Sequence, residues 1–491
     1  MVVPAEFVPR FVSGIADASA NETAEEIAMR RKQRLRLAPL VAVLFASSVG
    51  GGFGFEDAVG AAGPLVTIIF CLIIPWVWCL PTGLAVSELA TSVRSSAGIL
   101  MWINVAFSPI VSFMSVMASM FIVFSGNAAF ASLGASYVSK IYPMGWQSEA
   151  LVKTLIVAIS AWINILGLNV VGSMSIVISV GGTIPFIWYS VEQLTNRQSH
   201  WATALYVPEM TMKQWATFIS VASWNFANIE NIASLVREIW RPREVLPRAM
   251  VILMFSTYLI YPFPVLAGAI HSSSFRGAEW TAGFFTVIAQ RISGNFVGGA
   301  MFVGGLLSCV GNVITSVCCT SRSLAGIGEM EVFPVAVSRL LSQIDPCYGT
   351  PVAAIALNSA VTLLLSITLD FTQVVAMCQT IYCLRLLLVF VAVIRLRIEY
   401  PALRRPYALP CGTLACALFL APAFLFSLIG FTASARQSDA VWNASIIFIL
   451  SALLLAFVRS MWDDQKLRGS IEYVSRDNEL TSSSSGSQEA L

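Results

Sequence analysis

Long apolar runs separated by short polar connections fill the chain between residues 38 and 458. An α-helix rises about 1.5 Å per residue, so a membrane-spanning helix needs about 20 residues. By this measure the pattern predicts an all-α membrane protein with twelve transmembrane helices. The third apolar run continues towards Tyr137, which predicts a tilted span or an additional surface helix there. The predicted bounds of the spans are 38–60, 64–86, 98–124, 150–168, 170–191, 214–236, 249–270, 294–322, 351–370, 372–395, 412–433 and 441–458.

Glycines and carboxylates interrupt the first predicted span. Residues 47–57 read SSVGGGFGFED, whereas a plain spanning helix would avoid both residue types. Glycine costs about 1 kcal/mol per helix position relative to alanine, and a charged side chain in hydrocarbon costs several kcal/mol more. We therefore expect this helix to break and to line a polar cavity, as the substrate-binding helices of secondary transporters do.

The sixth predicted span, five spans later, has a second polar interruption. Asn225, Asn228 and Asn231 recur every three residues, so they share one face if the helix is regular, and Glu230 lies beside them. Amides can simply hold helices together, whereas an ionisable side chain this deep in a span is a functional hypothesis by default. Glu230 is therefore a candidate proton carrier or counter-charge for a cationic substrate. The matching interruptions predict an inverted repeat of spans 1–5 and 6–10, with spans 11 and 12 added.

Among the other ionisable residues within or near predicted spans, four are considered as candidates. Glu56 and Asp57 lie about 100° apart on any helix, so at most one is expected to face the cavity, unless both lie at the outer mouth. We expect Glu88 to be a solvated end of the second span. Arg385 lies in the middle of the tenth span, too far from either end for easy snorkelling. It is expected to pair with an acid or to face water.

Aromatic residues offer candidates for the substrate path, and the sequence offers none for enzymatic chemistry. We expect Trp224 and Phe130 to gate the path or to form a cation–π wall, with Tyr382 as a further lining residue. No hydrolase, phosphate-loop or dinucleotide pattern is present, and the two histidines, His200 and His271, lie in predicted outer connections. The sequence therefore predicts neither an enzyme nor a cofactor or metal site.

Composition and charge distribution support a multi-pass protein with both ends in the cytoplasm. Of the 491 residues, 57% are hydrophobic and 11% are charged, whereas soluble proteins carry about 25% charged residues. Most of the 29 Lys and Arg residues lie on the inner side if both termini are cytoplasmic, as the positive-inside rule requires. We predict a cytoplasmic tail at 1–37, a twelve-helix transporter domain at 38–459 and a disordered cytoplasmic tail at 460–491. A net charge of +2 gives no indication of a nucleic-acid partner.

Several motifs together resemble one transporter family over about residues 38 to 460. They read GFGFED at 52–57, GAAGP at 60–64, WNFANIE at 224–230, REIWRPREVLPRA at 237–249, RIEYP at 397–401 and RRPYALPCGT at 404–413. In these stretches the chain resembles the amino acid–polyamine–organocation transporters, and most closely their polyamine-uptake branch in plants and protozoan parasites. The resemblance implies a five-plus-five inverted-repeat fold with broken helices 1 and 6, and alternating access around a central site.

By position, the resemblance also implies roles for individual residues. The residues it implies for the site are Gly50, Gly51 and Gly52 through their backbone, Trp224 as a gate, and Asn228 and Glu230 for a substrate amine. The polyamine-uptake pattern further has a tyrosine near Phe130 and acids near Ile314, Thr320 and Val389. This chain has none of those acids and has Arg385 in the tenth span. Because a multiply charged amine is best held by several carboxylates, an amino acid permease of the same fold remains the alternative.

The sequence thus predicts a secondary active transporter of small amine-bearing solutes, with polyamines such as putrescine or spermidine ahead of amino acids. Glu230 and either Glu56 or Asp57 would bind the ammonium ends. In the amino acid alternative, the substrate carboxylate would rest on the backbone amides of Gly50–Gly52, with Arg385 assisting. A third hypothesis is a nutrient receptor that binds without transporting.

Coupling, partners and location complete the predictions from sequence. We expect a proton gradient to drive transport through Glu230, and a sodium site built from helix 1 carbonyls with Thr320 and Ser321 is the alternative. The expected partners are the small-molecule substrate and the lipid bilayer. The plasma membrane is the expected location.

Overall fold

A computed structural model describes residues 35–49, 52–93, 95, 97–195, 200–271, 276–368 and 371–462 of the chain. Across these residues the protein is helical, and its one extended contact is a parallel bridge between Leu35 and Ile239. The predicted tails at 1–37 and 460–491 lie almost entirely outside the described residues. Gly50 and Gly51 of the first predicted interruption also lie outside them.

The described part contains eighteen α-helices, one π-helical turn and two 3₁₀ segments. The α-helices are α1 (Leu37–Ser48), α2 (Glu56–Ile74), α3 (Leu80–Ser92), α4 (Ile99–Ala106), α5 (Pro109–Ile141), α6 (Trp146–Ile165), α7 (Leu168–Thr195), α8 (Trp201–Ala204), α9 (Met212–Trp224), α10 (Pro242–Ile260), α11 (Pro262–Ile270), α12 (Phe284–Ser293), α13 (Asn295–Glu329), α14 (Val335–Ser342), α15 (Val352–Thr368), α16 (Phe371–Glu399), α17 (Thr413–Ala435) and α18 (Asp439–Trp462). The π turn Pro75–Cys79 joins α2 to α3, and the 3₁₀ segments are Ile229–Glu238 and Gly277–Glu279.

Within the described ranges, nine helical stretches are long and apolar enough to cross a membrane. They are the joined α2–α3 stretch, α5, α6, α7, the joined α10–α11 stretch, α13, α16, α17 and α18. Two further apolar helices are shorter: α1 has 12 residues and α15 has 17. The chain is therefore an all-α, multi-pass membrane protein, as its hydrophobic pattern predicts.

The boundary between the first two predicted spans lies inside α2. Gly63 leaves helical geometry there, with φ of 80° and ψ of 165°, and Pro64 follows. A Cβ atom on Gly63 would lie 2.6 Å from the ring of Pro208. Only glycine fits both this backbone conformation and this contact. The stretch α2 therefore consists of two helical parts joined by a kink at Gly63.

The third predicted span, 98–124, does not correspond to a single helix. The structure has the short helix α4, a break at Phe107 and Ser108, and then the 33-residue helix α5. Ser108 is extended because the residue before a proline avoids helical geometry, and Pro109 suits the first helical position. The predicted continuation towards Tyr137 is confirmed, since α5 ends at Ile141.

Two long helices form the centre of the molecule, and the two last helices lie at its edge. The most apolar windows of α13 and α16 are 72% and 67% buried, whereas those of α17 and α18 are 28% and 22% buried. The outer faces of α17 and α18 carry exposed leucines such as Leu418 and Leu454. An apolar face of this kind suits lipid contact. The polar residues considered below therefore lie among the inner helices.

Candidate substrate site

The first interruption lies between α1 and α2. The helix ends at Ser48 and resumes at Glu56. Between them, Gly54 has φ of 89°, a left-handed conformation that residues with a side chain rarely adopt. A Cβ atom on Gly54 would also lie 3.0 Å from the side-chain oxygen of Asn225. Glycine is therefore required here by the turn and by the close approach of the second interrupted segment.

Of the three glycines predicted to contact substrate, the structure describes only Gly52. It is buried against the ring of Phe186, and a Cβ atom on Gly52 would lie 2.7 Å from that ring. Gly50 and Gly51 lie outside the described residues, so the contact of their backbone with a substrate stays a prediction.

The second interruption directly follows α9. The helix ends at Trp224, Asn228 is left-handed with φ of 68°, and the backbone continues as the 3₁₀ segment Ile229–Glu238. Asparagine enters this conformation more readily than most residues because its short side chain can bond locally. The predicted stripe of Asn225, Asn228 and Asn231 does not form, because it requires a regular helix.

The two interrupted segments are bonded to each other. The side-chain amide of Asn225 donates to the carbonyl oxygen of Gly54 at 2.9 Å. The Tyr261 hydroxyl lies 2.8 Å from the carbonyl oxygens of both Val49 and Asn225, and it can donate to one at a time. Carbonyl groups freed where a helix ends need such partners. The sequence thus brings its two interruptions into direct contact, as a shared site requires.

A small cavity, called the central cavity below, lies between the interrupted segments. Its volume is about 10 Å³, roughly enough for one water molecule. The cavity is lined by Ser48, Val49, Phe53, Phe130, Leu133, Trp224, Asn225, Ser308, Cys309 and Asn312. No lining residue is charged. Three buried polar atoms in this lining, Ser48 Oγ, Trp224 Nε1 and Asn312 Oδ1, have no hydrogen-bond partner among the described residues.

The predicted gate residues meet at this cavity. The rings of Phe130 and Trp224 contact each other with centroids 4.6 Å apart. Phe371 also packs against Trp224, with its ring nearly perpendicular and the centroids 5.7 Å apart. The indole therefore contacts two rings, while its N–H group has no described acceptor. This arrangement suits a side chain that closes the cavity and can bond to an occupant.

Glu230 is fully buried and is paired with a cation. Its Oε1 accepts a hydrogen bond from Arg385 at 2.6 Å, and its Oε2 accepts one from the Tyr382 hydroxyl at 2.8 Å. The Tyr382 hydroxyl accepts from the backbone N–H of Asn228 at 3.2 Å. Arg385 also donates to Ser119 Oγ at 3.1 Å. We call these five residues the Glu230 cluster; it unites three predicted site residues and confirms that Arg385 pairs with an acid.

The Glu230 cluster lies beside the central cavity and does not line it. Each carboxylate oxygen of Glu230 has one described donor and can accept a second hydrogen bond, so an amine can bind beside the present donors or replace Arg385. Removing one member of a buried ion pair typically costs about 3–5 kcal/mol, because the other charge is left without compensation. A substrate that replaces Arg385 must therefore compensate Glu230, and the guanidinium needs other partners.

Glu56 is a second fully buried carboxylate, at the start of α2. Its Oε2 accepts from the backbone N–H of Gly54 at 2.8 Å. Its Oε1 accepts from the Tyr137 hydroxyl, and from the backbone N–H of Gly283 at 3.2 Å. All three donors are neutral, and no described Lys or Arg forms an ion pair with Glu56. Asp57 is only partly buried, and neither of these acids lines the central cavity.

The hydroxyl groups predicted for a sodium site lie in an amide network. Thr320 Oγ1 accepts from Asn127 at 3.2 Å and from Asn358 at 2.8 Å. Ser321 Oγ accepts from Asn358 at 3.1 Å. These hydrogen bonds join α5, α13 and α15, and a sodium site shared with the carbonyls of α1 stays a prediction. The network serves helix packing in this conformation.

Glu88 is buried, so the prediction of a solvated helix end is wrong. Its two oxygens accept from Arg397 at 2.8 and 2.6 Å, and Oε2 also accepts from the backbone N–H of Leu409 at 2.8 Å. Arg405 lies 3.6 Å from Oε1. Arg397 belongs to the last turn of α16, and Arg405 and Leu409 belong to the connection between α16 and α17, so both parts cover the end of α3. This explains physically why basic residues recur in that connection.

Sequence reasoning missed several residues of the site. Asn312 is a lone amide in an apolar, glycine-rich stretch of α13, the same kind of signal that pointed to Asn228. Ser48 lies in the interrupted stretch, whose glycines and acids give a stronger signal than a serine does. Tyr137 and Tyr261 carried no signal, because tyrosines near the ends of spans are common in membrane proteins.

Comparison with known proteins places this architecture in a family. The amino acid permease profile matches residues 37–455. A probable polyamine transporter of Arabidopsis thaliana is 28% identical over 442 residues, which are 89% of this chain and 89% of the relative. Polyamine transporter PUT1 of Oryza sativa subsp. japonica is 30% identical over 390 residues, 78% of this chain and 71% of the relative. The serine/threonine exchanger SteT of Bacillus subtilis (strain 168) is 21% identical over 406 residues, 80% and 90% of the two chains.

The matched region includes both interrupted segments and the Glu230 cluster. The predicted resemblance to amino acid–polyamine–organocation transporters is confirmed. Membership of a permease family also indicates a transporter rather than an enzyme, with a small-molecule substrate and a place in the membrane. The chain belongs to the amino acid permease family.

Proposed function

We propose that this chain is a secondary active transporter of small amine-bearing solutes that works by alternating access. One observation carries the proposal: two interrupted helices meet at a central cavity where Ser48, Trp224 and Asn312 have polar atoms without described partners. A buried polar atom without a partner costs about 1–3 kcal/mol, so an occupant that bonds to it is favoured. The cavity is too small for a solute, so this conformation is a closed one, and transport requires it to open.

A twelve-helix arrangement with a five-plus-five inverted repeat is part of the proposal. Twelve spans require three more than the nine long apolar stretches among the described residues. Two are the interrupted spans, formed by α1 with the first turns of α2, and by α9 with the 3₁₀ segment Ile229–Glu238. The third is the 17-residue helix α15. The second interruption lies five spans after the first, as in a repeat of five spans, and this supports the repeat.

Polyamines such as putrescine or spermidine are the first candidate substrates. Two of the similar proteins are named as polyamine transporters, one of them as probable. Each interrupted helix carries one fully buried carboxylate, Glu56 after the first interruption and Glu230 after the second. Two separated carboxylates suit the two ammonium ends of a diamine. Asn228 would hydrogen-bond the chain, and Phe130, Trp224 and Tyr382 would line the path.

Amino acids are the second candidate, and a specific observation favours them. No carboxylate lines the central cavity, and Arg385 already occupies Glu230. An uncharged cavity suits a zwitterion, whose carboxylate would rest on the amides of Gly50–Gly52. One similar protein is named as a serine/threonine exchanger.

Proton coupling through a buried carboxylate is proposed for either substrate class. Glu230 is the carboxylate expected from the sequence, and taking up a proton there would break its ion pair with Arg385. Glu56 is a second candidate because its described partners are all neutral donors, so taking up a proton there breaks no ion pair. The hydroxyl of Thr320 bonds to amides, which gives a sodium site less support.

The proposed location is the plasma membrane, with both termini in the cytoplasm. The distribution of Lys and Arg residues supports this orientation. In it, Glu56 lies on the outer side of the central cavity and Glu230 on the inner side, because the two interrupted spans run in opposite directions.

The proposal is tested by uptake of labelled putrescine, spermidine, arginine and leucine into proteoliposomes containing the purified chain, with and without an imposed inward proton gradient. We expect polyamine uptake that collapses with the gradient. Uptake of amino acids alone would select the second candidate. Binding of any of these solutes without accumulation would indicate a receptor and would contradict transport.

A further inference from the structure

We propose that Arg385 is a displaceable internal cation: it occupies the amine-binding carboxylate Glu230 in the empty transporter and leaves when a cationic substrate arrives. This inference rests on the proposed function and assigns Arg385 a role in specificity. Arg385 would set how strongly a cation must compete for the site.

The contacts of Arg385 are those that a substrate ammonium would make. Its guanidinium lies 2.6 Å from Glu230 Oε1, and its central carbon lies 5.7 Å from the centre of the Tyr382 ring. A carboxylate next to an aromatic face is a general recognition site for organic cations. The Tyr382 hydroxyl bonds to the other oxygen of Glu230, which holds the carboxylate in place. The position beside Glu230 is therefore a formed cation site whose present occupant belongs to the protein.

Arg385 is held differently from the other arginines that pair with buried carboxylates or lie buried themselves. Arg322 pairs with Glu238 and also donates to the backbone carbonyl of Cys318 at 3.1 Å. Arg397 pairs with Glu88 and donates to the carbonyls of Cys411 and Leu409. Among the described contacts, Arg385 donates only to the side chains of Glu230 and Ser119. Side-chain partners can rotate away, whereas backbone carbonyls hold an arginine in place. Of Arg322, Arg385 and Arg397, Arg385 can therefore leave its partners most easily.

Helix α5 carries a second hydrogen-bonding position for the guanidinium of Arg385. Ser115 lies one turn before Ser119, and residues four apart share a helix face. Ser115 is buried, and its hydroxyl has no hydrogen-bond partner in the part of the chain that the structure describes. A guanidinium that leaves Glu230 can keep Ser119 and gain Ser115. It would then remain hydrogen-bonded while the substrate ammonium takes the carboxylate.

The test compares putrescine uptake by the full chain in proteoliposomes for wild type and three variants. In Arg385→Gln the internal competitor is gone, so we expect the KM for putrescine to fall roughly tenfold, a typical size for coupling between two bound groups. The KM for leucine should change far less. The matched control is Arg395→Gln, on the same helix, which breaks the exposed pair with Glu399 and should leave both KM values unchanged.

The third variant, Arg385→Lys, keeps the inference testable if Arg385→Gln does not fold. Arg385→Lys keeps the charge but loses the planar group that stacks on Tyr382, so it should be displaced more easily and give a KM between those of wild type and Arg385→Gln. Folding of every variant is checked by size-exclusion chromatography. A putrescine KM that is unchanged or raised in a folded Arg385 variant would overturn this inference and leave the proposed function standing. Wild-type protein that takes up neither solute would instead overturn the proposed function.

Discussion

Glu230 and Glu56 are both fully buried carboxylates next to an interrupted helix, yet their surroundings differ in one respect. Glu230 is paired with a guanidinium, and Tyr382 holds its other oxygen. Glu56 accepts hydrogen bonds from the Tyr137 hydroxyl and two backbone N–H groups, and no described cation pairs with it. The first carboxylate lies in an environment built for a positive charge, and the second lies among neutral donors.

The difference suggests how one protein could hold two cations at once. A symporter of amines must carry a proton and an ammonium group together, and a single carboxylate cannot serve both well, since the proton removes the charge that binds the amine. In this chain the environment of Glu230 suits the ammonium and that of Glu56 suits the proton, so a proton and the second ammonium end of a diamine are alternative occupants of Glu56. The predictions below test this division.

The largest effect is expected from Glu230→Gln. It leaves Arg385 buried without a counter-charge, so the free energy of unfolding should fall by about 3–5 kcal/mol, and putrescine uptake should be lost. Denaturant unfolding in detergent and uptake in proteoliposomes measure the two effects. The double variant Glu230→Gln with Arg385→Gln removes both charges and should recover most of the stability without recovering uptake. Uptake retained by folded Glu230→Gln would rule out the amine-binding role.

Glu88→Gln should have a smaller effect, confined to stability. Glu88 is buried like Glu230, but its partners are Arg397 in the last turn of α16 and Leu409 in the connection that follows. Loss of a charged hydrogen-bond acceptor there should cost about 2 kcal/mol. The KM for the transported solute should stay that of wild type once the amount of folded protein is matched. A changed KM would mean that this connection also contributes to the site.

Glu56→Gln should affect coupling more than stability. The amide keeps one acceptor for Tyr137 but turns a donor towards the N–H of Gly54, which should cost about 1 kcal/mol. Uptake should continue down the solute gradient and lose its response to an imposed proton gradient. Tyr137→Phe, which keeps the carboxyl group, should still respond to the gradient and is the matched control. If Glu56→Gln remains gradient-driven, the coupling role returns to Glu230.

The sequence predicted the interruptions better than it predicted their partners. Glycines at 50–54 and asparagines from Asn225 to Asn231 are local signals, because each is unfavourable in an apolar helix where it stands. The pairing of Glu230 with Arg385 joins residues 155 positions apart, so a single sequence could indicate only that Arg385 needs an acid. The prediction for Glu88 failed for the same reason, because its partner Arg397 lies more than 300 positions later in the chain.

The smallest effect is expected at the central cavity, which neither carboxylate lines. Ser48 Oγ has no described partner there, so Ser48→Ala removes no bond from the closed protein and should leave its stability unchanged. If a solute bonds to this hydroxyl, the loss of about 1 kcal/mol should raise its KM about fivefold. Ser160→Ala on α6 is the matched control, because that buried hydroxyl bonds to its own helix at 2.7 Å. Equal KM values in the two variants would mean that the solute does not bind in this cavity. The carboxylates Glu56 and Glu230 would then have to bind it at another place.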